Sequence, residues 1–251
     1  MIVAVIPVHG RAQMAIETVR MLRHQTVSVA PILVGDSLTE ARIAKQVGCE
    51  YIQYPNRPLS SKWQVGMWRA GDLNKTILTI GSDTWLTPTW CETGLQKMQE
   101  GYHVVGRNDF YIMHLTRDGI EIIHRGYTGE RIGQPAGIGR MVSREGMREL
   151  GWVLFRERRG RHCDTVAMRA IMAAELRCAL IPASEKALTI KCDDWTSRHT
   201  FAEVEASAGL QPLEGITGNI ETWLASTFPG SLEAIDRLRK GTWPKVKKGR
   251  S

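Results

Sequence analysis

The feature that most constrains the fold is the alternation of short apolar runs with helical stretches in residues 1–80. The apolar runs are rich in β-forming residues and lie at 2–6, 31–36, 50–54 and 76–80. The stretches between them carry apolar residues at helical spacing, at 12–24, 39–47 and 60–73. Strands that are apolar throughout and separated by helices predict an α/β fold, with a mainly parallel sheet covered by helices on both faces.

Polar residues follow three of these strands, at the point where each strand ends. They are His9 and Arg11 after the first strand, Asp36 after the second, and Ser82 and Asp83 after the fourth, and Pro7 lines the same edge. In sheets of this type, ligands bind outside the carboxyl ends of the strands. The sequence therefore predicts a binding site at this edge of the sheet.

The pattern changes in the second half of the chain. Residues 109–126 alternate between apolar and polar around Arg117-Asp118-Gly119, which predicts a β-hairpin. A glycine-rich stretch follows, and Ser143 is a suitable N-cap for a short helix. Residues 164–177 form an amphipathic pattern, and the segments CALIP and ALTIK have strand character.

We expect one α/β domain over residues 1–200, with halves at 1–108 and 109–200, and a helical extension over residues 201–251. Residues 237–251 contain seven Lys or Arg and no acid, which accounts for the whole formal net charge of +7. Binding to polyanions would therefore depend on this basic tail and on local basic clusters. The sequence does not indicate an oligomeric state.

The composition places the chain among soluble proteins. No run of about 18 apolar residues is present, and the opening residues lack the basic segment and long apolar run of a signal peptide. The five cysteines are scattered without a C-x-x-C pair, which favours reduced thiols. We expect a cytoplasmic protein without a membrane span.

The motifs, taken in order, resemble a known family. The segments VAVIPVHGR, ILVGDS, SSKWQVGMWRAG and ILTIGSDTWLTP are similar to those of GT-A nucleotide-sugar glycosyltransferases, particularly family 2. The segments IGRMVSREGMRELGW and HCDTVAMRAIM are similar to the acceptor-side and general-base segments of that family. The resemblance covers roughly residues 1–195 and implies a GT-A, Rossmann-like sheet, a nucleotide-sugar donor and inversion at the anomeric carbon.

The resemblance implies a metal site at Asp83. The family carries an Asp-x-Asp motif or a relative of it at the end of the fourth strand, and here the sequence reads Gly81-Ser82-Asp83, without the first acid. Asp83 would hold Mn²⁺ or Mg²⁺ against the donor diphosphate, and His199 would return to the same metal. Alternatively, Ser82-Asp83 caps a helix that begins near Pro88. We expect Asp83 to be partly exposed, so that its replacement costs little stability.

The same resemblance assigns the donor site, which we expect to take a UDP-sugar. Asp36 would hydrogen-bond the nucleobase, or alternatively form an Asx-turn before the next helix. Lys62 would approach the diphosphate, or alternatively lie on a solvated helix face. The full predicted donor set is Pro7, His9, Arg11, Asp36, Lys62, Ser82 and Asp83.

Asp164 is the predicted general base. An acceptor hydroxyl must lose its proton as it attacks the anomeric carbon, and a carboxylate at a helix start can accept it. The resemblance places Asp164 where the family has the second acid of a Glu-Asp pair, with Cys163 in place of the first. The alternative is that Asp164 only caps its helix. The predicted acceptor-side residues are Gly139, Arg140, Arg159, Arg161 and His162.

Basic residues near the predicted base suggest a DNA acceptor. Arginines cluster at residues 156–161, and the end of the basic tail, PKVKKGR, follows Trp243. Phosphate neutralisation dominates affinity for DNA. The acceptor would be a hydroxymethylated pyrimidine of bacteriophage DNA, flipped out of the duplex, and the enzyme would then act in the host cytoplasm. The alternatives are a carbohydrate, lipid or protein acceptor, a nucleotidyltransferase, or a non-catalytic nucleic-acid-binding protein.

Overall fold

A computed structural model describes residues 1–56, 58–156, 163–192, 201–202, 207 and 209–241. The strands in this part of the chain are β1 (Ile2–Pro7), β2 (Val29–Gly35), β3 (Glu50–Gln53), β4 (Thr76–Thr79), β5 (Thr84–Leu86), β6 (Val104–Gly106), β7 (Asp109–Leu115), β8 (Ile120–Tyr127), β9 (Arg140–Val142), β10 (Cys178–Leu180), β11 (Ala187–Lys191) and β12 (Leu210–Pro212). The helices are α1 (Ala12–Leu22), α2 (Leu38–Gln46), α3 (Leu59–Asp72), α4 (Trp90–Gln99), α5 (Arg144–Glu149), α6 (Cys163–Ala173), α7 (Ile220–Thr227) and α8 (Ser231–Lys240), with a 3-10 turn at Gly129–Arg131.

The first sheet has seven strands in the order β10-β6-β9-β4-β1-β2-β3. The pairs β1–β2, β1–β4, β2–β3 and β6–β10 are parallel. Strand β9 is antiparallel to both of its neighbours, β4 and β6. The predicted mainly parallel sheet is therefore confirmed, with one antiparallel strand in its middle that the sequence pattern did not indicate.

Helices cover both faces of this sheet because successive strand residues point to opposite sides. Ile2, Ala4 and Ile6 of β1 pack in one core cluster with residues of α1, α2 and α4. Val3 and Val5 pack in another cluster with residues of α3, α5 and α6. A side chain of this size contributes roughly 1.5–3 kcal/mol when fully buried, so the alternation of apolar residues on both faces fixes the layered fold.

The second sheet has five strands in the order β12-β8-β7-β11-β5. The predicted hairpin is confirmed as the antiparallel pair β7–β8. Strand β11 lies between β7, to which it is parallel, and β5, to which it is antiparallel. Since β5 follows β4 after only a short turn, the second sheet begins at the carboxyl edge of the first.

The C-terminal residues add a strand to the second sheet and contribute two helices to a core cluster. Strand β12 pairs with β8, while α7 and α8 pack in a core cluster that also contains Met14 and Met21 of α1. Arg237 of α8 donates to Glu17 of α1 over 2.8 Å. Within the described residues, the extension therefore contains a strand besides α7 and α8. Within the described residues, no helix is both long and apolar enough to cross a membrane.

Candidate active site

A cavity of about 370 Å³ opens where the two sheets meet, at the carboxyl ends of β4 and β11. Two groups of charged residues line it, Asp83 with Lys191 and Arg140 with Asp164. The rest of its wall is largely apolar and aromatic, and includes Leu59, Trp63, Phe110, Tyr127, Ile138 and Phe155. The cavity therefore joins a charged surface to an aromatic one.

Asp83 is held between two cations. Arg11 Nη1 donates to Asp83 Oδ2 over 2.6 Å, and Lys191 Nζ donates to the same oxygen over 3.0 Å. The backbone N–H of Ile190 donates to the carbonyl of Asp83 over 2.8 Å, which fixes β11 beside it. Burial would raise the pKa of Asp83, but Lys191 and Arg11 together hold that pKa far below its usual range. The carboxylate is therefore ionised at neutral pH.

Two expectations for Asp83 are wrong. Asp83 is only 6% exposed, because Arg11 and Lys191 cover its carboxylate. Nor does it cap the following helix, since α4 begins at Trp90 with Thr89 as its N-cap. Replacement of Asp83 would thus leave two cations without their counter-charge, and its cost in stability cannot be small.

Asp36 lies at the end of β2, beside His9 and Lys62. His9 Nδ1 is 3.2 Å and Lys62 Nζ is 3.8 Å from Asp36 Oδ1. Burial would raise the pKa of Asp36, but the hydrogen bond with His9 and the charge of Lys62 lower it overall. The following helix is capped by Ser37 rather than by Asp36, so the carboxylate of Asp36 is not required for the cap.

Lys62 is fully buried and does not lie on a solvated helix face. Its ammonium donates to the carbonyl of Val8 over 2.5 Å and to Asn56 Oδ1 over 3.2 Å. Burial is the main cause of its lowered pKa, although Asp36 and Glu40 act in the opposite direction. Lys62 thus ties α3 to the segment that follows β1.

Glu40 is a buried residue that the sequence analysis did not include in the site. It accepts N–H groups from Gly10, Asp36 and Ser37, so it organises the segments after β1 and β2. Oxygen and nitrogen atoms of His9, Asp36 and Glu40 lie within 4.8 Å of one another and form a possible metal-binding group. The carboxylate of Glu40 already accepts three backbone donors, and one of them, the N–H of Ser37, belongs to the helix capping box.

Pro7 and Ser82 are buried beneath the same edge. Pro7 is the last residue of β1 and pairs with Val34 of β2. The carbonyl of Ser82 accepts from Thr18 over 3.0 Å, while its Oγ has no hydrogen-bond partner among the described residues. Their predicted contacts with a donor remain predictions.

Asp164 lies in the first turn of α6 and accepts three side-chain donors. Tyr127 donates its hydroxyl over 2.6 Å to Oδ2, which also accepts from Arg131, and Arg140 donates to Oδ1. Burial would raise the pKa of Asp164, but Arg140, Arg131 and Tyr127 lower it overall. Asp164 is thus an ionised, oriented carboxylate whose side chain keeps 24% of its surface exposed.

Of the predicted acceptor-side residues, Arg140 contacts Asp164, and Gly139 directly precedes Arg140 in the chain. Gly139 has φ of +72°, and a Cβ there would lie 2.8 Å from atoms of both Leu86 and Trp90. Its carbonyl accepts the indole N–H of Trp90 over 2.8 Å. This tight turn starts β9 and directs the buried side chain of Arg140 toward Asp164. The other predicted residues, Arg159, Arg161, His162 and the metal ligand His199, lie outside the described residues.

The sequence analysis missed Lys191, Tyr127 and Arg131. Lys191 is the last residue of the strand ALTIK, and that strand could be predicted from the sequence. No neighbouring residue indicated that this strand pairs with β5. Tyr127 and Arg131 lie in or beside the glycine-rich stretch, where the guanidinium of Arg131 stacks 3.8 Å from the ring centre of Tyr127.

The comparisons with known proteins concern structure only. No protein-family model and no curated protein matches this sequence. Among solved structures, TarS from S. aureus superposes with a TM-score of 0.56 at 10% identity, over 75% of this chain and 36% of TarS. A197 from STIV gives a TM-score of 0.45 at 12% identity, over 87% of this chain and 97% of A197.

The fold is that of the GT-A class, a Rossmann-like α/β arrangement. This follows from the strand order of the first sheet and from the similarity to TarS. The chain spans well under half of TarS, so the likeness concerns the fold of one part of that protein.

Proposed function

We propose that this protein transfers a sugar from a nucleotide-sugar, best a UDP-sugar, to an acceptor hydroxyl. The observation that supports this most is the cavity at the carboxyl edge of a GT-A sheet, into which two ionised carboxylates, Asp83 and Asp164, both project. A donor diphosphate needs positive charge nearby, and an attacking hydroxyl needs a proton acceptor. Arg11 and Lys191 beside Asp83 supply the positive charge, and Asp164 supplies the proton acceptor.

On the acceptor side, Asp164 accepts the proton of the attacking hydroxyl. The new bond joins the acceptor oxygen to the anomeric carbon, while the bond from that carbon to the diphosphate breaks and a nucleoside diphosphate leaves. Arg131, Arg140 and Tyr127 hold the carboxylate in one orientation, which reduces the entropy lost at the transition state. On the donor side, Asp36 faces the nucleobase and Arg11 and Lys191 face the diphosphate.

The resemblance also implies Mn²⁺ or Mg²⁺, which when bound would neutralise the leaving diphosphate. Of the predicted ligands, His199 lies outside the described residues, and Asp83 Oδ2 is shared by Arg11 and Lys191. The group formed by His9, Asp36 and Glu40 offers other ligand atoms. Metal dependence is therefore a separate question from sugar transfer and has to be measured separately.

A hydroxymethylated pyrimidine in DNA is the acceptor that we favour. The aromatic side of the cavity, with Trp63 and Phe155 stacked 5.7 Å apart, suits a flat base. The basic tail and the arginine cluster at 156–161 supply charge for the phosphates. Of these segments, residues 157–161 and 242–251 lie outside the described residues. Carbohydrate, lipid and protein acceptors remain the alternative class.

The test is a turnover panel of UDP-, GDP-, CMP- and TDP-sugars with Mn²⁺, with and without DNA that contains hydroxymethylated pyrimidines. We expect release of UDP and a mass increase of one sugar on the modified DNA but not on unmodified DNA. Transfer should weaken steeply between ~50 and ~200 mM salt. Pyrophosphate release from a nucleoside triphosphate would instead indicate a nucleotidyltransferase, and DNA binding without turnover would indicate a binding protein.

A further inference from the structure

We propose that Arg11 and Lys191 neutralise the donor diphosphate in place of a divalent metal at Asp83. This inference rests on the proposed function, since it concerns how the same site binds its donor. A metal at Asp83 would bind its carboxylate. Oδ2 of that carboxylate accepts from a guanidinium at 2.6 Å and from an ammonium at 3.0 Å. A divalent cation on either carboxylate oxygen would therefore stand close to two positive charges.

The site also lacks the ligands that would offset this repulsion. Magnesium and manganese are held by oxygen ligands, usually one or two carboxylates together with phosphate and water. The residue two positions before Asp83 is Gly81, and the side chain between them, Ser82, is buried at 1% exposure. Among the described residues, the group that could hold a metal includes His9, Asp36 and Glu40 but not Asp83. The surroundings of Asp83 therefore do not fit a metal.

The charge of the cluster nevertheless suits a diphosphate. One carboxylate with one divalent metal carries a net charge of +1. Asp83 with Arg11 and Lys191, one negative and two positive groups, also carries +1. The three side chains are mostly buried, with 9%, 22% and 14% of their surfaces exposed, so solvent screens this charge only in part. The cluster thus provides the formal charge of a metal site without the metal.

Both cations retain hydrogen atoms for a second acceptor. The Nε–H of Arg11 is buried and has no hydrogen-bond partner among the described residues. The ammonium of Lys191 has three N–H groups and donates to Asp83. The side chain of Lys191 also lines the cavity. Phosphate oxygens could therefore bind both side chains while Asp83 keeps them in place. Asp83 is then a positioning residue.

The experiment is calorimetric titration of the protein with UDP, in excess EDTA and again with Mn²⁺. We expect wild-type protein to bind UDP in EDTA with an affinity within a few-fold of that in Mn²⁺.

In EDTA, Lys191→Met and Arg11→Met should each weaken binding about 10- to 100-fold, the value of one charge-assisted hydrogen bond. Lys191→Arg should restore most of the affinity. Arg69→Met, which removes a solvent-accessible cation of α3 that pairs with Glu50 of β3, is the matched control and should leave the affinity for UDP unchanged.

Binding of UDP that requires Mn²⁺ and disappears in EDTA would overturn the inference while leaving the proposed function intact. Equal affinity of wild type, Lys191→Met and Arg11→Met in EDTA would overturn it as well. Failure of wild-type protein to bind UDP or any other nucleoside diphosphate under both conditions would overturn the proposed function together with this inference. The wild-type comparison needs no variant, so it stands even where a variant folds poorly.

Discussion

At the scale of single residues, Asp83 holds Arg11 and Lys191 in place, and we propose that it thereby positions them for the donor. Asp83→Ala would leave Arg11 and Lys191 partly buried without their counter-charge, and breaking such a pair costs about 3–5 kcal/mol. We expect the free energy of unfolding in urea to fall by this amount and sugar transfer to be lost. Asp72→Ala is the matched control, because Asp72 is an exposed partner of Arg69 and should cost less than about 1 kcal/mol. Equal costs for the two variants would contradict the buried cluster.

Substitution of Asp164 tests its assignment as the general base. Asp164→Asn keeps the shape of the side chain and removes the proton acceptor, so kcat should fall by ~10²–10⁴. UDP binding should stay the same, because Asp164 contacts Arg131, Arg140 and Tyr127 rather than the donor cluster. Kinetics with saturating acceptor, together with UDP titration, measure both quantities. Weakened UDP binding with unchanged kcat would place Asp164 on the donor side.

The lowered pKa values of Asp83 and Asp164 predict how the free energy of unfolding depends on pH. The pKa of each is lower in the folded protein than its ordinary value of 3.8. A lowered pKa in the folded state contributes stability that is fully present above the unfolded pKa and is lost as pH falls through the folded pKa. The free energy of unfolding should therefore drop below pH ~4. In Asp164→Asn this acid-induced drop should be smaller than in wild type, and an identical pH profile would contradict the shift at Asp164.

At the scale of elements, the turn before β9 positions Arg140, which contacts Asp164. Gly139→Ala would place a methyl group 2.8 Å from Leu86 and Trp90 and would also force an alanine into positive φ. Gly133 also has positive φ, +82°, but open space around it, so Gly133→Ala measures the cost of an alanine at positive φ without a clash, about 1–2 kcal/mol. We expect Gly139→Ala to lower the melting temperature clearly more than Gly133→Ala does. Equal shifts would mean that packing at Gly139 is unimportant.

The elements themselves could largely be predicted from the sequence. Strands β1 to β4 and the helices between them follow the period of their apolar residues, and Ser143 caps α5 through Gly146 as expected. These signals are local, because they depend on neighbours within one or two turns. The insertion of β9 as an antiparallel strand is not local, since its partners lie tens of residues away.

The site was predictable in part for the same reason. Asp36, Asp83 and Asp164 could be identified because each stands at the end of a strand or the start of a helix. Their partners could not, because Lys191 reaches Asp83 across 108 positions of sequence and Arg131 reaches Asp164 across 33. Such pairs depend on how the two sheets meet. The expected exposure of Asp83 was wrong because these partners were unknown.

At the scale of the whole molecule, the candidate site lies where the two sheets meet, and the C-terminal segment packs elsewhere on the domain. The C-terminal segment is held to the first half by Arg237 and the fully buried Glu17, and by an apolar cluster shared with α1. Helix α8 had a visible apolar face, yet its partner could not be inferred from that face alone. The first residues of the basic tail, Arg237 to Lys240, form the last turn of this helix, and Arg237 is paired with Glu17.

A crystal structure of the protein with UDP would test the central claim most directly. The account predicts electron density for UDP along the carboxyl edge of the first sheet, with uracil near Asp36 and His9. It predicts phosphate oxygens within hydrogen-bond distance of Arg11 and Lys191. The cavity beside Asp164 should stay open for the sugar and the acceptor. UDP bound at any other surface, or density whose phosphates avoid both cations and this edge, would contradict a nucleotide-sugar site here.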